Sequence, residues 1–337
     1  MRRLLALGLT LLAPLPLAGG DSGTGRLPAA QPTLTGDLQI HDPAVLEVGG
    51  RYVAMGTGFE NVDGGTLRIK TSADGLRWSD AGTLGTAQPA WVAKQLGTSP
   101  PNLWAPTLSR RGGTTYLYYA ASLFGKNTSG IGLATNPHLD PAHPAAGWTD
   151  QGAVLTSRPG DTFNAIDPFR IDTADGRAWL AFGSFWDGIK LRELDPKSGR
   201  LRSGNTALYS LASRGGGAIE AASILEHGGY FYLFVSFDRC CAGLESTYRI
   251  MVGRAKKVTG PYTDREGVPM MKGGGSQLQA TSGRFIGPGG QEVYRNGAQD
   301  WLVYHYYDGD LGGTPQLQTA QIGFDAAGWP VLGALPK

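Results

Sequence analysis

Apolar and polar positions along the chain fall into a unit that recurs five times. In each copy a short opening motif runs into a strand, a turn follows, and the chain returns as a strongly apolar run. The copies are HDPAVLEVGGRYVAMGTG from His41, WAPTLSRRGGTTYLYYAAS from Trp104, IDPFRIDTADGRAWLAFGSF from Ile166, IEAASILEHGGYFYLFVSFD from Ile219 and IGPGGQEVYRNGAQDWLVYHYYD from Ile286. A third strand follows in every copy: LRIKTS from Leu67, IGLATN from Ile131, IKLREL from Ile189, IMVGRA from Ile250 and LQTAQIGF from Leu317. These starts are 64, 58, 61 and 67 residues apart. Turns such as SADGLRW, DPKSGRL and TGPYTD then offer a route to an outer strand. Four strands in about 60 residues, five times over, predict an all-β chain folded as a five-bladed β-propeller. A long β-sandwich gives no reason for near-equal steps with one internal order. Apolar runs such as YFYLFVSF fit sheets buried against neighbouring blades.

Composition narrows the setting. The chain has 337 residues, of which 52 are Gly, 13 Tyr and 8 Trp, as turns between aromatic strands require. Its net charge is only +2, with Lys and Arg scattered, so no nucleic-acid partner is expected. The start, MRRLLALGLTLLAPLPLAGG, sets two Arg before a short apolar run and then small residues. Residues 1–20 are therefore predicted to be a signal peptide, 21–36 a flexible leader and 37–337 the propeller. Pro14 and Pro16 argue against a membrane anchor, and no other segment approaches the roughly 20 apolar residues of a span. A secreted monomer with no membrane contact in its mature form is expected. Cys240 and Cys241 are too few for a metal site. They are either two free thiols beside a buried strand or a vicinal disulfide, and export favours the bridge.

Aligning the five openings isolates one position, held by Asp42, Ala105, Asp167, Glu220 and, approximately, Gly287 or Pro288. The first strand of a propeller blade lines the central channel, so three carboxylates are predicted at one end of the axis. A lone Asp-Pro is usually a turn, as LDP at 139–141 and at 194–196 is read here. Three acids in matching positions without matching cations are costly, because like charges raise one another's pKa. Glycosidic cleavage uses such a group: one carboxyl stays protonated for the leaving oxygen, and another is ionised on the opposite face of the sugar. A third charge can hold the acid's pKa up. Trp91, Trp104, Phe185, Trp186 and Tyr307 are candidate platforms for sugar rings, with Trp104 and Trp186 the best placed.

The motifs HDP at 41–43, LWAP at 103–106, FNAIDP at 163–168, WLAFGSFWDGIKL at 179–191, AIEA at 218–221, CCAG at 240–243, STYRIMVGRA at 246–255 and YHYYD at 304–308 resemble the endo-arabinanases of glycoside hydrolase family 43. The resemblance runs from about Asp37 to Pro330. It implies a five-bladed propeller that hydrolyses α-1,5-linked arabinofuranose in arabinan with inversion. It implies Asp42 as general base, Glu220 as general acid and Asp167 as the residue that tunes and orients the acid. Asn164, Ala165, Ile166, Ser184, Phe185 and Trp186 then belong to substrate-contacting stretches. The chain departs from the family at Thr107, where an acid is common, at Ala221, where Pro is usual, and at Gly290. Many relatives have at that last place a His that helps bind an axial ion. A calcium or other cation on the axis is therefore expected to be weakly held, with His305, Gln291 or water completing its shell. Other expectations remain open: an exo-acting arabinofuranosidase or xylosidase on the same fold, with the loop at 85–102 closing the cleft, or a non-catalytic carbohydrate-binding propeller.

Overall fold

The computed structural model describes residues 28–336. Five antiparallel sheets follow one another along the chain. The first four-strand unit comprises Ala44–Val48, Arg51–Gly56, Arg68–Ser72 and Arg77–Thr83. The second comprises Trp104–Arg111, Thr114–Ala121, Ser129–Asn136 and Thr149–Ser157. The third comprises Phe169–Asp172, Ala178–Phe182, Ile189–Leu194 and Tyr209–Ala212. The fourth comprises Ile219–His227, Tyr230–Phe237, Arg249–Ala255 and Ser276–Gln279. The last comprises Phe285–Asn296, Gln299–Asp308, Thr314–Phe324 and Pro330–Leu332. They are the five blades of a β-propeller.

The predicted second and third strands coincide with observed ones because the apolar run marks each blade's middle. The cores lie between blades. Val53 and Met55 of the first meet Leu117 and Tyr119 of the second. Tyr118 and Leu133 of the second meet Leu180 and Phe182 of the third. Trp179, Phe234 and Tyr304 join the third, fourth and fifth. A middle strand therefore buries both faces and loses the alternation of a half-exposed sheet. Each such side chain contributes roughly 1.5–3 kcal/mol by leaving water.

The expected turns do lead on to outer strands, but the expected leader needs correction. The outer strands of the third and fourth blades are Tyr209–Ala212 and Ser276–Gln279, beyond the turns DPKSGRL and TGPYTD. Those turns make only isolated bridges, such as Leu194 with Leu201 and Arg254 with Thr263. Residues 28–36 are not a flexible leader. Thr35–Gly36 adds a parallel strand to the outer edge of the first blade, pairing with Arg77 and Trp78. The Leu317 N–H donates to the Leu38 carbonyl at 2.8 Å, and buried Leu34 and Ile40 pack with Val303 and Leu317. Residues 34–40 thus tie the first blade to the last, a long-range contact that no local pattern reveals. The loop at 85–102 contains the helix Ala90–Leu96, whose Val92 and Leu96 are buried. The expected signal peptide at 1–20 lies outside the described residues. Among those described, no helix is long and apolar enough to cross a membrane.

Candidate active site

Each blade opens on a kink at the axis. Asp42, Ala105, Asp167, Ala221 and Gly290 all have positive φ, between 37° and 57°. In the second, fourth and fifth blades the pairing of the first strand shifts at this point, between Trp104 and Thr107, Glu220 and Ser223, and Gly289 and Glu292. This bulge re-aims the side chains on either side of it. The structural ring is therefore 42, 105, 167, 221 and 290, and the blade-five position is Gly290, not Gly287 or Pro288. Asp42 and Asp167 occupy equivalent places. Glu220 stands one residue before the kink, in the position of His41, Trp104 and Ile166, with which it lines a large cleft. An alignment of motifs without gaps cannot see that offset.

The three carboxyls nevertheless meet there, each in a different setting. Asp42 Oδ2 accepts from His41 Nδ1 and from the Thr57 hydroxyl, both at 2.7 Å. Burial alone would raise Asp42, but the charge and hydrogen bond of His41, then His305 and Thr57, outweigh it and hold Asp42 at about 2. Glu220 accepts from the Ser184 hydroxyl at 2.6 Å and from the Tyr248 hydroxyl. Burial pushes Glu220 up, against the Ser184 and Tyr248 hydrogen bonds, and the Asp42 charge adds to the rise. Asp167 Oδ2 accepts the Ala221 N–H at 3.0 Å, one residue from Glu220. Burial, then the Glu220 and Asp42 charges, push Asp167 well above the usual carboxylate range. Asp167 and Glu220 titrate as a pair. At a pH where Asp42 is ionised, the pair still holds a proton.

The cleft above them is about 1160 Å³, larger than an ordinary small-molecule pocket. Asn164, Ile166, Ser184, Phe185, Trp186 and Trp104 line it. Ala165 does not: it is 0% exposed, lies in the core between the second and third blades, and donates its N–H to Ser157. It sits in the segment before the strand Phe169–Asp172, where the Ile166 N–H donates to the Asn164 carbonyl in a tight turn that sends Ala165 inward between two cleft-facing neighbours. Asn164 is braced by Ser129, whose hydroxyl donates to its Oδ1 at 2.6 Å. Trp91 is also no platform, since its indole N–H donates to the Tyr119 hydroxyl at 3.1 Å and the ring covers Gly130 and Gly132. Several lining residues were not singled out from sequence: His41, Thr57, Tyr248 and Phe124, the last 83% exposed. For His41 the signal was adjacency to Asp42; for Tyr248 and Phe124 the blade pattern carries none. A fourth carboxyl, Glu292, sits on the axis below, where burial raises it well above the usual range.

The residues around Gly290 do not form a cation ligand set. His41, Asp42 and His305 cluster. Both His41 nitrogens are engaged, by Asp42 and by Tyr307. His305 Nδ1 accepts the Asp42 N–H at 3.1 Å, so its proton is on Nε2. A Cβ at residue 290 would run into Asp42 Oδ1 and come within 2.7 Å of His305 Nδ1. His305 thus fills the space beside Gly290 without offering a free lone pair.

An ionised carboxyl facing a proton-holding pair, at the floor of an aromatic-lined cleft on a five-bladed propeller, defines a glycoside hydrolase. The chain matches the family model of glycosyl hydrolases family 43 over residues 29–330, and it belongs to that family. It is 41% identical to the extracellular endo-alpha-(1->5)-L-arabinanase 1 of Bacillus subtilis, across 86% of this chain and 87% of that one. It is 36% identical to the extracellular exo-alpha-(1->5)-L-arabinofuranosidase ArbA of Cellvibrio japonicus, across 87% and 86%. Its fold superposes on the GH43 endo-arabinanase from Bacillus licheniformis with a TM-score of 0.82 at 42% identity, covering 89% of this chain and 99% of the other.

Proposed function

We propose that this protein is an extracellular endo-arabinanase that hydrolyses α-1,5-L-arabinofuranosidic linkages of arabinan with inversion. The observation that carries the mechanism is the pair of contrasting settings in one cleft, Asp42 against His41 and Thr57 and Glu220 against Ser184 and Tyr248, in which Asp42 is displaced down and Glu220 up. Asp42 is the general base. His41 and Thr57 both occupy its Oδ2; Oδ1, beside Gly290 and 3.7 Å from His305 Nδ1, is the oxygen left to take a proton from water. Glu220 is the general acid, fixed by Ser184 and Tyr248 with its proton directed to the leaving oxygen. Asp167 holds the backbone beside Glu220, and because the two carboxyls repel when both are ionised, the pair keeps a proton until the leaving group needs it. Trp104, Phe185, Trp186 and Phe124 supply faces for furanose rings.

Internal cleavage is supported by the path of residues 85–102. The helix in that loop packs along Ser129–Asn136 and Thr149–Ser157. Only Pro101 and Asn102 of the loop line the cleft, so the loop expected to close one end does not cover it. The names of the relatives point the same way on substrate and on export, while one of them is exo-acting. Linear arabinan digested to a few per cent should give a ladder of oligosaccharides. Arabinose, or one short product alone, from the earliest times would establish exo action. Proton NMR of the first reducing ends should show inverted configuration, and initial retention would exclude Asp42 as a base acting on water.

A cation, if one binds the axis, is held through water and tunes the carboxyls without entering bond cleavage. Dialysis against a chelator is expected to leave most activity in place. Complete loss, restored by calcium alone, would show that an ion is required despite Gly290.

A further inference from the structure

Asp42 is connected by an unbroken line of hydrogen bonds to the disulfide at the rim of the cleft. Cys240 and Cys241 are bridged, just beyond the strand Tyr230–Phe237, and both line the cleft. The Cys241 backbone N–H donates to the Tyr307 hydroxyl oxygen at 2.7 Å. That hydroxyl lies 2.8 Å from His41 Nε2, and His41 Nδ1 lies 2.7 Å from Asp42 Oδ2. The direction of the line follows from proton counting. Nδ1 faces a carboxylate and carries hydrogen. When that is the ring's sole proton, Nε2 has a lone pair and Tyr307 donates to it; when the ring is charged, Nε2 donates to the Tyr307 oxygen instead. Tyr307 can turn its hydrogen that way because its own lone pair is taken by Cys241. Cys241 Sγ is also 4.0 Å from His41 Nε2, so the bridge borders the ring it indirectly orients. On its other face His41 stacks on His305, with centroids 3.7 Å apart.

We propose that Tyr307 and the Cys240–Cys241 bridge are positioning elements for the base: they lock the His41 tautomer and ring plane that hold Asp42 Oδ2, and so leave Oδ1 aimed at water. The inference rests on reading Asp42 as the base. It gives the bridge a part in catalysis, where a purely structural bridge would affect only unfolding. Left-handed Cys241, with φ 62°, turns its N–H toward Tyr307, and linking it to its neighbour keeps the loop in that shape.

The test uses the mature protein and linear arabinan. Tyr307→Phe keeps the ring and removes the donor. It is expected to lower kcat about tenfold with KM within about twofold, as for an interaction that matters in the transition state. The groups facing Asp42 are His41, His305, Asp167, Glu220, Tyr248 and Tyr307. Only the last changes, so loosening of His41 should move the acid limb of kcat/KM to higher pH. In a His41→Ala background Tyr307→Phe should cost nothing further, because the line is already cut. Phosphine reduction of the wild-type protein, and the Cys240→Ser/Cys241→Ser variant, should lower kcat in the same sense, the former reversibly on reoxidation. These two also decide the matter if Tyr307→Phe does not fold. Unchanged kcat and acid limb in Tyr307→Phe, fully additive losses with His41→Ala, or full activity after reduction would each overturn the proposal. Asp42→Ala run beside them separates the two readings. If it stays active the base assignment fails, and this inference with it. If it is inactive while Tyr307→Phe is unaltered, only the inference falls.

Discussion

Glu220→Ala is expected to slow arabinan hydrolysis by about 10²–10⁴-fold, and Asp42→Ala by at least as much, the usual worth of a positioned acid or base. Neither change should unfold the protein, since both side chains line the cleft rather than the cores between blades. The two variants part on a substrate with a dinitrophenyl leaving group, which departs without a proton. Glu220→Ala should regain much of its turnover there; Asp42→Ala should not, because water still needs its base. Equal rescue would mean that the roles are exchanged or absent. The pH profile carries the same asymmetry. Asp42 is held at about 2, so the base is ionised through the working range and is lost only in strong acid. Glu220 is raised, so the acid form is fully present below its raised pKa and is lost as pH climbs through it. The alkaline limb on arabinan therefore belongs to the Glu220–Asp167 pair, with Glu220 delivering its proton. It should vanish in Glu220→Ala assayed on the dinitrophenyl substrate, and an alkaline limb that persists unchanged would assign it elsewhere.

Gly290→Ala, the smallest possible change beneath the cleft, is expected to cost about 10²-fold in kcat. The new methyl would collide with Asp42 Oδ1 and crowd His305 Nδ1. It would also force a side chain into a left-handed backbone at φ 57°, which costs about 1–2 kcal/mol. Displacing a base by about 1 Å is enough for a loss of that size. Gly290→His should be no better, because His305 already fills that space. Activity of Gly290→Ala within about threefold of wild type, with crystal coordinates showing Asp42 undisplaced, would contradict this account. The neighbouring glycine is needed for a different reason: a Cβ at Gly289 would run into the Tyr248 ring that donates to Glu220.

The propeller was legible in the sequence because its strands are defined by local pattern. Each blade's middle strands, such as Tyr230–Phe237 and Thr114–Ala121, are buried on both faces and write themselves as apolar runs. Five repeats of that unit leave few other ways to close. Asp42, Asp167 and Glu220 were legible too, because an acid at a blade opening interrupts a repeated motif. What the sequence could not hold was set by contacts between distant segments and by single-residue bulges. The kink at Ala221 places Glu220 one step away from the ring that Asp42 and Asp167 share, and only the shifted strand pairing reveals it. Ala165 reads as a cleft residue from its neighbours, but its N–H binds Ser157 and its methyl is buried between the second and third blades. Thr35–Gly36 reads as leader and becomes a strand because Arg77–Thr83, some forty residues later in the chain, offers it an open edge. The hydrogen-bonded line through Tyr307, His41 and Asp42 joins residues 266 positions apart in sequence. Its members are adjacent because a propeller brings its first and last blades together at the axis, and that closure exists only in three dimensions.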